Sequence, residues 1–526
     1  MLTRHYLVAV LLVVLSCSLA LAQPAAKLTE DDFYRMVNFP LPKDVVLEVG
    51  GMDWLDAEQN RLAVCTRRGE VWVLDNVYTE TPALEGTKVK VKNADGLVVE
   101  VEADASHIVG YKRMLFGLHE PLGMVINPPT FPKGMYMVQR SELTRVADTN
   151  GDDLIDIVQT FSNGWEVSGS YHEYAFGPKI GKDGQLWITL NRPFGGGQEG
   201  TAYWRGWAVK VDSKGKMTPI CPGLRSPAGL GTNMQGEMFF TDNQGDHVAS
   251  GKLAHIKPGV FHGNPVGLES CEHPLANFTK PNKDYPKLEL PWAEAVTANE
   301  HLQAPAVWFP YPDMGRSQTD ILWDDTKGKF GPFAGQMFVG DLSNAIVMRV
   351  MLEEVDGEYQ GVAFPFRRGF RPPVLRMEWG KDGSMFVGGS SRGWGGGAQS
   401  YGLSRLVWTG KTPFEIHEMK ATPKGFRLTF TQPLDQQTAK DMNSYSLECW
   451  THKYYSRYGD DQQDKQMVKI ADIQVEDGGK AVNLTLEKQL PYYVHALKLP
   501  GIKSTTGQPL LHAEAYYTLN RIPKQK

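Results

Sequence analysis

Cysteine is scarce here: five residues in 526, one of them, Cys17, inside an apolar leader. The other four, Cys65, Cys221, Cys271 and Cys449, have no zinc-type spacing, and the chain has no CxxCH. That excludes a structural zinc module of the usual kind and a covalently attached c-type haem. An oxidising compartment would allow a Cys221–Cys271 bridge, and isolated buried thiols fit the same spacing. Charge of one sign is also lacking. The formal net charge is −5 with no dense Lys/Arg cluster, so no nucleic-acid partner is expected. Beyond residue 22 no apolar run reaches the ~18 residues of a membrane span, so no transmembrane segment is expected.

What the sequence does contain begins with a leader. A basic start at Arg4-His5, the apolar run Tyr6–Leu15 and Ala20-Leu21-Ala22 predict a signal peptide, residues 1–22, cut after Ala22. The protein is then exported, to a periplasm or the outside. Lipoprotein attachment at Cys17 is the weaker reading, because Leu15 fits a lipobox poorly and the apolar run continues past the cysteine.

Glycine is abundant, at 54 residues, and much of it falls in a repeat. The segments RLAVCT (Arg61–Thr66), GMYMVQ (Gly134–Gln139) and GQLWIT (Gly184–Thr189) share one plan. GEMFFT (Gly236–Thr241), GQMFVG (Gly335–Gly340) and GSMFVG (Gly383–Gly388) continue it. A second short strand follows each copy, and several are preceded by one, as in PLGMVI, PAGLGT and TDILW. Strand–turn–strand–loop–strand units recurring every ~40–50 residues predict propeller blades. The expected fold is all-β: a six-bladed β-propeller over residues 45–410, after a lead-in segment 23–44 draped on the first blade. A charged insertion, Thr79–Lys112, is read as an added hairpin, and the loop His262–Pro305 as a cover over one end. From 411 to 523 the alternation of FRLTFT, VKIADIQV, AVNLTLE and HALKL predicts an immunoglobulin-like β-sandwich accessory domain.

The repeat gives a phase for locating a site. Residues entering the innermost strand of each blade face one mouth of the channel: His119-Glu120 in blade two, His172 in three, Arg225 in four, Arg316 in five and Arg371 in six. Imidazoles and guanidiniums converging there predict a cationic well for an anion or a carboxylated cofactor. The competing expectation is that the arginines pair with Glu120 and other acids of the blades. His172 is the candidate general base, since imidazole titrates near neutral pH. Separately, Asp148, Asn150, Asp152 and Asp156 form a calcium-loop pattern of alternating oxygen ligands, with Asp153 where glycine is usual. A plain acidic turn fits the same pattern.

The stretch HEYAFGP…KDGQLWITL (His172–Leu190) resembles a motif of the soluble quinoprotein glucose/sorbosone dehydrogenases. The resemblance implies a six-bladed propeller holding pyrroloquinoline quinone (PQQ) over its mouth, with His172 as general base. LRSPAGLGTNMQGEMFFTDNQGD is similar to that family's next blade. It implies that Arg225 meets quinone and substrate, with calcium held by a loop beyond, at Asn243–Asp246. Ser226 stands where the family has asparagine. His119, Arg316, Arg371 and Arg392 (of RGWGGG) complete the implied cofactor-binding set. The chain as a whole looks more like the exported propellers of planctomycete-type bacteria named membrane-bound dehydrogenases. Many of those carry a haem domain that this chain lacks, which implies an external electron acceptor. The implied function is oxidation of a sugar or polyol, with a sugar or polysaccharide-derived substrate as partner. Two other classes suit the same mouth: a non-catalytic propeller that binds glycan or protein, and an enzyme that cleaves acidic polysaccharide.

Overall fold

The computed structural model describes residues 28–193, 202–476 and 478–525. The leader and Cys17 lie outside the described residues. Five four-stranded antiparallel sheets and four neighbouring strands of an eight-stranded sheet form six blades, the bulk of the chain. Each of the six repeated segments contributes the second strand of one blade: Leu62–Thr66, Met135–Val138, Leu186–Leu190, Met238–Asp242, Met337–Asp341 and Met385–Ser390. Five of these segments start at a glycine with φ between +72° and +145°, the left-handed region that a tight turn between strands demands. In blade one the equivalent turn uses Gln59, at φ +54°.

The first strands are Val49–Trp54, Met124–Ile126, Ala175–Ile180, Gly229–Thr232, Gln318–Trp323 and Arg376–Trp379. Each lies against the next, and the sixth lies against the first, so the ring closes. The protein is a six-bladed β-propeller. Glycine sets how closely neighbouring blades approach. A Cβ at Gly123 would sit 1.9 Å from the Gly177 carbonyl oxygen, and one at Gly229 would sit 1.9 Å from that of Thr319. On the axis, Arg376 is 5% exposed and donates to the carbonyls of Gly50, Leu122, Ala228 and Leu375 at 2.8–3.1 Å.

Two expectations about the chain path are corrected and a third is extended. The lead-in does lie on the first blade, where Tyr111 Oη donates to the Pro40 carbonyl at 2.7 Å and Phe39 and Leu41 join the apolar cluster of Met52, Leu62 and Leu74; its Tyr34–Asn38 also pairs with Tyr401–Trp408 as the outermost strand of blade six. An exposed outer edge is thereby covered, and the two ends of the ring are tied together. Blade one does not end near Val77. Its fourth strand is Gly110–Leu115, and the charged hairpin Lys88–Lys92/Val98–Glu102 is inserted before that strand. The long loop from residue 262 lies within blade four, between Lys252–His255 and Val307–Trp308. It packs on blade three, where Trp207 Nε1 donates to the Gly267 carbonyl at 2.6 Å, and its Leu290–Pro291 pairs with Lys453–Tyr454.

After blade six, two four-stranded sheets face each other over one apolar core, which includes Phe426, Leu428, Leu447, Val482 and Tyr517. One sheet is Ile416–Thr422, Gly425–Phe430, Ala481–Leu486 and Ile470–Val475. The other runs on from blade five. Glu514–Leu519 pairs with Glu358–Arg367, giving a continuous eight-stranded sheet. The four described cysteines are free thiols. Among the described residues no helix is long and apolar enough to cross a membrane.

A charged clamp fastens the N-terminal turn to this junction. Arg367 of blade five donates to Glu30 Oε2 at 2.8 Å, while the His512 imidazole lies 2.6 Å from Glu415 and 3.1 Å from Glu30. Burial opposes charging His512, but Glu415 and Glu30 outweigh it and push its pKa up to about 9. A cation with a raised folded-state pKa stabilises fully below its ordinary value of 6.5, and the contribution is lost as pH climbs through about 9. Melting temperatures recorded from pH 6 to 10 should fall across that window, by the equivalent of on the order of 2–3 kcal/mol. His512→Asn should melt lower at pH 6.5 and lack the decline; a variant that keeps the full slope would assign the titration elsewhere.

Candidate functional site

In each blade the first strand starts, and the second strand ends, on the same face of the ring. Residues before first strands and after second strands therefore share one mouth. His119, His172, Arg225, Arg316 and Arg371 all precede first strands, and Arg392 follows a second strand. The repeat phase shows in the backbone bonding. Gln139, at the end of its second strand, accepts the His119 N–H. In blade four the buried Asp242 accepts from Arg225 N at 3.1 Å and Ser226 N at 2.6 Å. In blade five Asp341 accepts from Ser317 N at 3.0 Å and from the Arg316 N–H. His119, Arg225 and Arg316 are thus held by one device in three blades.

Much of the arginine ring is paired. Glu120 Oε2 accepts from Arg140 Nε and Nη2 at 2.9 and 2.7 Å, and Oε1 accepts from Arg67 Nε at 3.1 Å and Arg392 Nη1 at 2.9 Å. Arg392 also grips Glu48, at 2.7–3.3 Å. Burial works against ionising Glu120, yet Arg67 and Arg140 hold its pKa below the usual value. Glu120 has φ +51°, a strained setting for a glutamate that the guanidiniums on it help to hold. Further round the rim, Asp246 takes Arg225 Nε at 2.9 Å and Arg192 as well. Burial raises the Asp246 pKa, but His247, Arg192 and Arg225 together keep it far below the ordinary carboxylate range. Five guanidiniums thereby share three carboxylates. Arg316 and Arg371 remain exposed, with no side-chain partner among the described residues.

His172 is half-buried, edge-on to Tyr171 at 5.3 Å between ring centroids and to Tyr174 at 6.3 Å. Tyr174 carries the Arg140 and Arg67 guanidiniums over its ring, at 4.7 and 5.3 Å. The Tyr174 carbonyl accepts Asn191 N, and the Arg225 carbonyl accepts Arg192 N at 3.1 Å. One hydrogen-bonded path therefore runs from beside the histidine to the blade-four arginine. Ser226 Oγ accepts from Asn191 Nδ2 at 3.3 Å and Asn243 Nδ2 at 3.4 Å.

The Asp148–Asp156 loop belongs elsewhere. It joins the third and fourth strands of blade two, on the face opposite the mouth. Asp148 accepts N–H groups of Asn150, Gly151 and Asp153, and Asp156 accepts from Thr149 N and Oγ1 at 2.7 Å each. Asp153 adopts φ +63° and forks with Arg61 at 2.9 Å. Among the described residues no group of three or more His, Cys, Asp or Glu side chains is arranged to hold a metal ion.

Arg67, Arg140 and Arg192 were missed by sequence reasoning, which applied the repeat phase only to entries to first strands and named Arg392 alone of the arginines at the exits of second strands. The signal was present: CTR, VQR, LNR and SSR put an arginine at or just past the end of the second strand in four of the six blades.

No protein-family model and no curated protein sequence matches the chain. Among solved structures it is similar to the PQQ-bound aldose sugar dehydrogenase of Streptomyces coelicolor, with 12% identity, TM-score 0.42, and coverage of 71% of this chain and 98% of that one. The PQQ domain of pyranose dehydrogenase from Coprinopsis cinerea gives 11%, 0.41, 71% and 97%. A gluconolactonase from Xanthomonas campestris gives 12%, 0.35, 71% and 90%.

Glu120 is the anion most of the mouth leans on; it is 8% exposed, and its partners Arg67 and Arg140 are 9% and 10% exposed. Glu120→Ala leaves those guanidiniums uncompensated and should cost about 3 kcal/mol in urea unfolding. A loss below about 0.5 kcal/mol, the range of ordinary surface substitutions, would show that the arginines hold themselves in place through the backbone carbonyls alone.

Proposed function

We propose that the protein oxidises a sugar or polyol at the propeller mouth with a bound quinone of the PQQ type, passing electrons to an external acceptor. The observation that carries this reading is the cationic surplus of Arg316 and Arg371, which have no side-chain partner among the described residues, on the same mouth as the half-buried His172. A small planar ligand bearing carboxylates suits guanidiniums, which pair with carboxylate through two parallel hydrogen bonds. Arg225, already oriented by Asp246, and Arg392, oriented by Glu48 and Glu120, would support the same ligand. His119, on the rim, would complete the set.

When bound, the quinone supplies a two-electron acceptor for hydride from the carbinol carbon. His172 takes the hydroxyl proton on a ring nitrogen as the C–O bond becomes a carbonyl, and returns that proton to solvent. Tyr171 and Tyr174 fix the imidazole edge-on, and Arg225 steadies the substrate oxygen as charge develops on it. The Asp148–Asp156 loop takes no part, being on the far face.

Purified, metal-stripped protein titrated with PQQ, with and without calcium, should show saturable binding by absorbance and dye reduction with some member of a sugar panel. His172→Ala should lower turnover by about 10²–10⁴-fold and leave quinone binding within a few-fold of the parent. Arg316→Ala combined with Arg371→Ala should weaken quinone binding about tenfold or more. An His172→Ala enzyme with full turnover would remove the base; absence of any quinone binding would remove the reaction.

A further inference from the structure

Six large aromatic side chains stand exposed among the described residues, and all six are on the mouth face: Phe116, Tyr171, Tyr203, Tyr311, Trp394 and Tyr458. Five belong to propeller loops. Tyr458 comes from the C-terminal sandwich and is 71% exposed, with the Arg225 guanidinium 5.3 Å from its ring centre. The sandwich therefore supplies part of the wall of the mouth.

Tyr311 and Tyr458 also line an open cleft of about 670 Å³ where the blade-four and blade-five loops meet the sandwich. That is within the size range of small-molecule sites. Trp450 adds an apolar surface, while Gln244, Gln462 and Asp461 add hydrogen-bonding groups, and no Lys or Arg is among the lining residues. The loop carrying Tyr458 is fixed in advance. Gly459 N donates to the Gly245 carbonyl at 2.9 Å, and Asp460 N to that of Ala249 at 2.8 Å. The Asp460 carboxylate accepts from Lys453 N at 2.7 Å, Gln463 Nε2 at 2.8 Å and Tyr455 Oη at 3.0 Å. An exposed tyrosine so anchored loses little freedom when a ligand covers it.

Flat aromatic faces beside carboxylate and amide oxygens fit sugar rings, which offer apolar C–H faces and hydroxyl edges. The carboxylates and the absence of lining cations turn away acidic sugars. We propose that this cleft is a subsite for the second and later rings of a neutral oligosaccharide whose terminal ring occupies the mouth, so that the substrate is an oligosaccharide. The proposal rests on the sugar-oxidising reading of the mouth. Tyr458 is the shared boundary, touching Arg225 on the mouth side and lining the cleft on the other.

Binding tests this without any quinone. Full-length protein is titrated by calorimetry with glucose and with α-1,4 and β-1,4 gluco-oligosaccharides of two to six units. Affinity for one series should rise about tenfold or more between one and four units, and Tyr311→Ala and Tyr458→Ala should each remove most of that gain. Both side chains are exposed, so the substitutions leave the core untouched. Affinity that does not change with length, or a gain surviving both substitutions, overturns the subsite. Dye reduction in the presence of PQQ, measured alongside, separates the two readings. Oxidation of glucose without length-dependent binding ends the subsite alone; length-dependent binding lost in the variants but without oxidation keeps the subsite and ends the oxidation.

Discussion

Closure of the ring is the constraint on which the rest of this structure depends. Six twisted sheets meet on an axis only if their first strands come nearer than side chains allow, which is why glycine stands at Gly123 and Gly229. The price of that approach is a set of inward carbonyls with no ladder partner. Arg376 answers them, its guanidinium bonding to carbonyls from blades one, two, four and six. A buried charge is costly, and burial lowers the pKa of this arginine. Four well-directed acceptors offset that cost and fix the relative position of four blades at one point. The axis is thereby plugged, so the mouth is a well with a floor and not a passage.

The floor matters for the loops above it. Loops at the mouth are long and would be free to move, but their ends are held by second-strand side chains: Gln139, Asp242 and Asp341 each clamp the backbone just before a first strand. On that base stands a layer of shared ion pairs around Glu48, Glu120 and Asp246. Such pairs add little net stability once desolvation is counted, and their value is positional. They aim Arg225 and Arg392, while Arg316 and Arg371 have no side-chain partner among the described residues. The expectation of a ring of free arginines and the expectation of arginines spent on acids each describe part of this mouth.

The blades were legible in the sequence because the second strand is the most regular part of each. Its turn glycine and its alternation leave a local mark, and all six repeated segments fall on second strands. The lead-in's strand was not foreseen because Tyr34–Asn38 pairs with a strand more than 360 residues later, a contact with no local signature. The fourth strand of blade one was hidden by a charged hairpin inserted before it. Histidine and arginine at the entries to first strands were found by phase, whereas Arg67, Arg140 and Arg192 needed the same phase applied at the exits. The calcium-loop pattern folds as a turn whose carboxylate oxygens accept N–H groups of their own loop, on the face opposite the mouth.

The sandwich shows why the boundary near residue 410 divides the sequence more cleanly than it divides the molecule. Blade five has unusually long outer strands, Ile346–Val355 and Glu358–Arg367, and the second of these would be an exposed edge. Glu514–Leu519 covers it, and the sandwich is built outward from that strand. The attachment fixes the orientation of the whole accessory unit, because strand pairing admits one register at a time. From that fixed position its Tyr455–Gln463 loop reaches blade four and bonds to the loop bearing Asp246. Asp246 in turn orients Arg225. A strand that protects an edge on one side of blade five thus ends by setting the geometry of the mouth beside blade four.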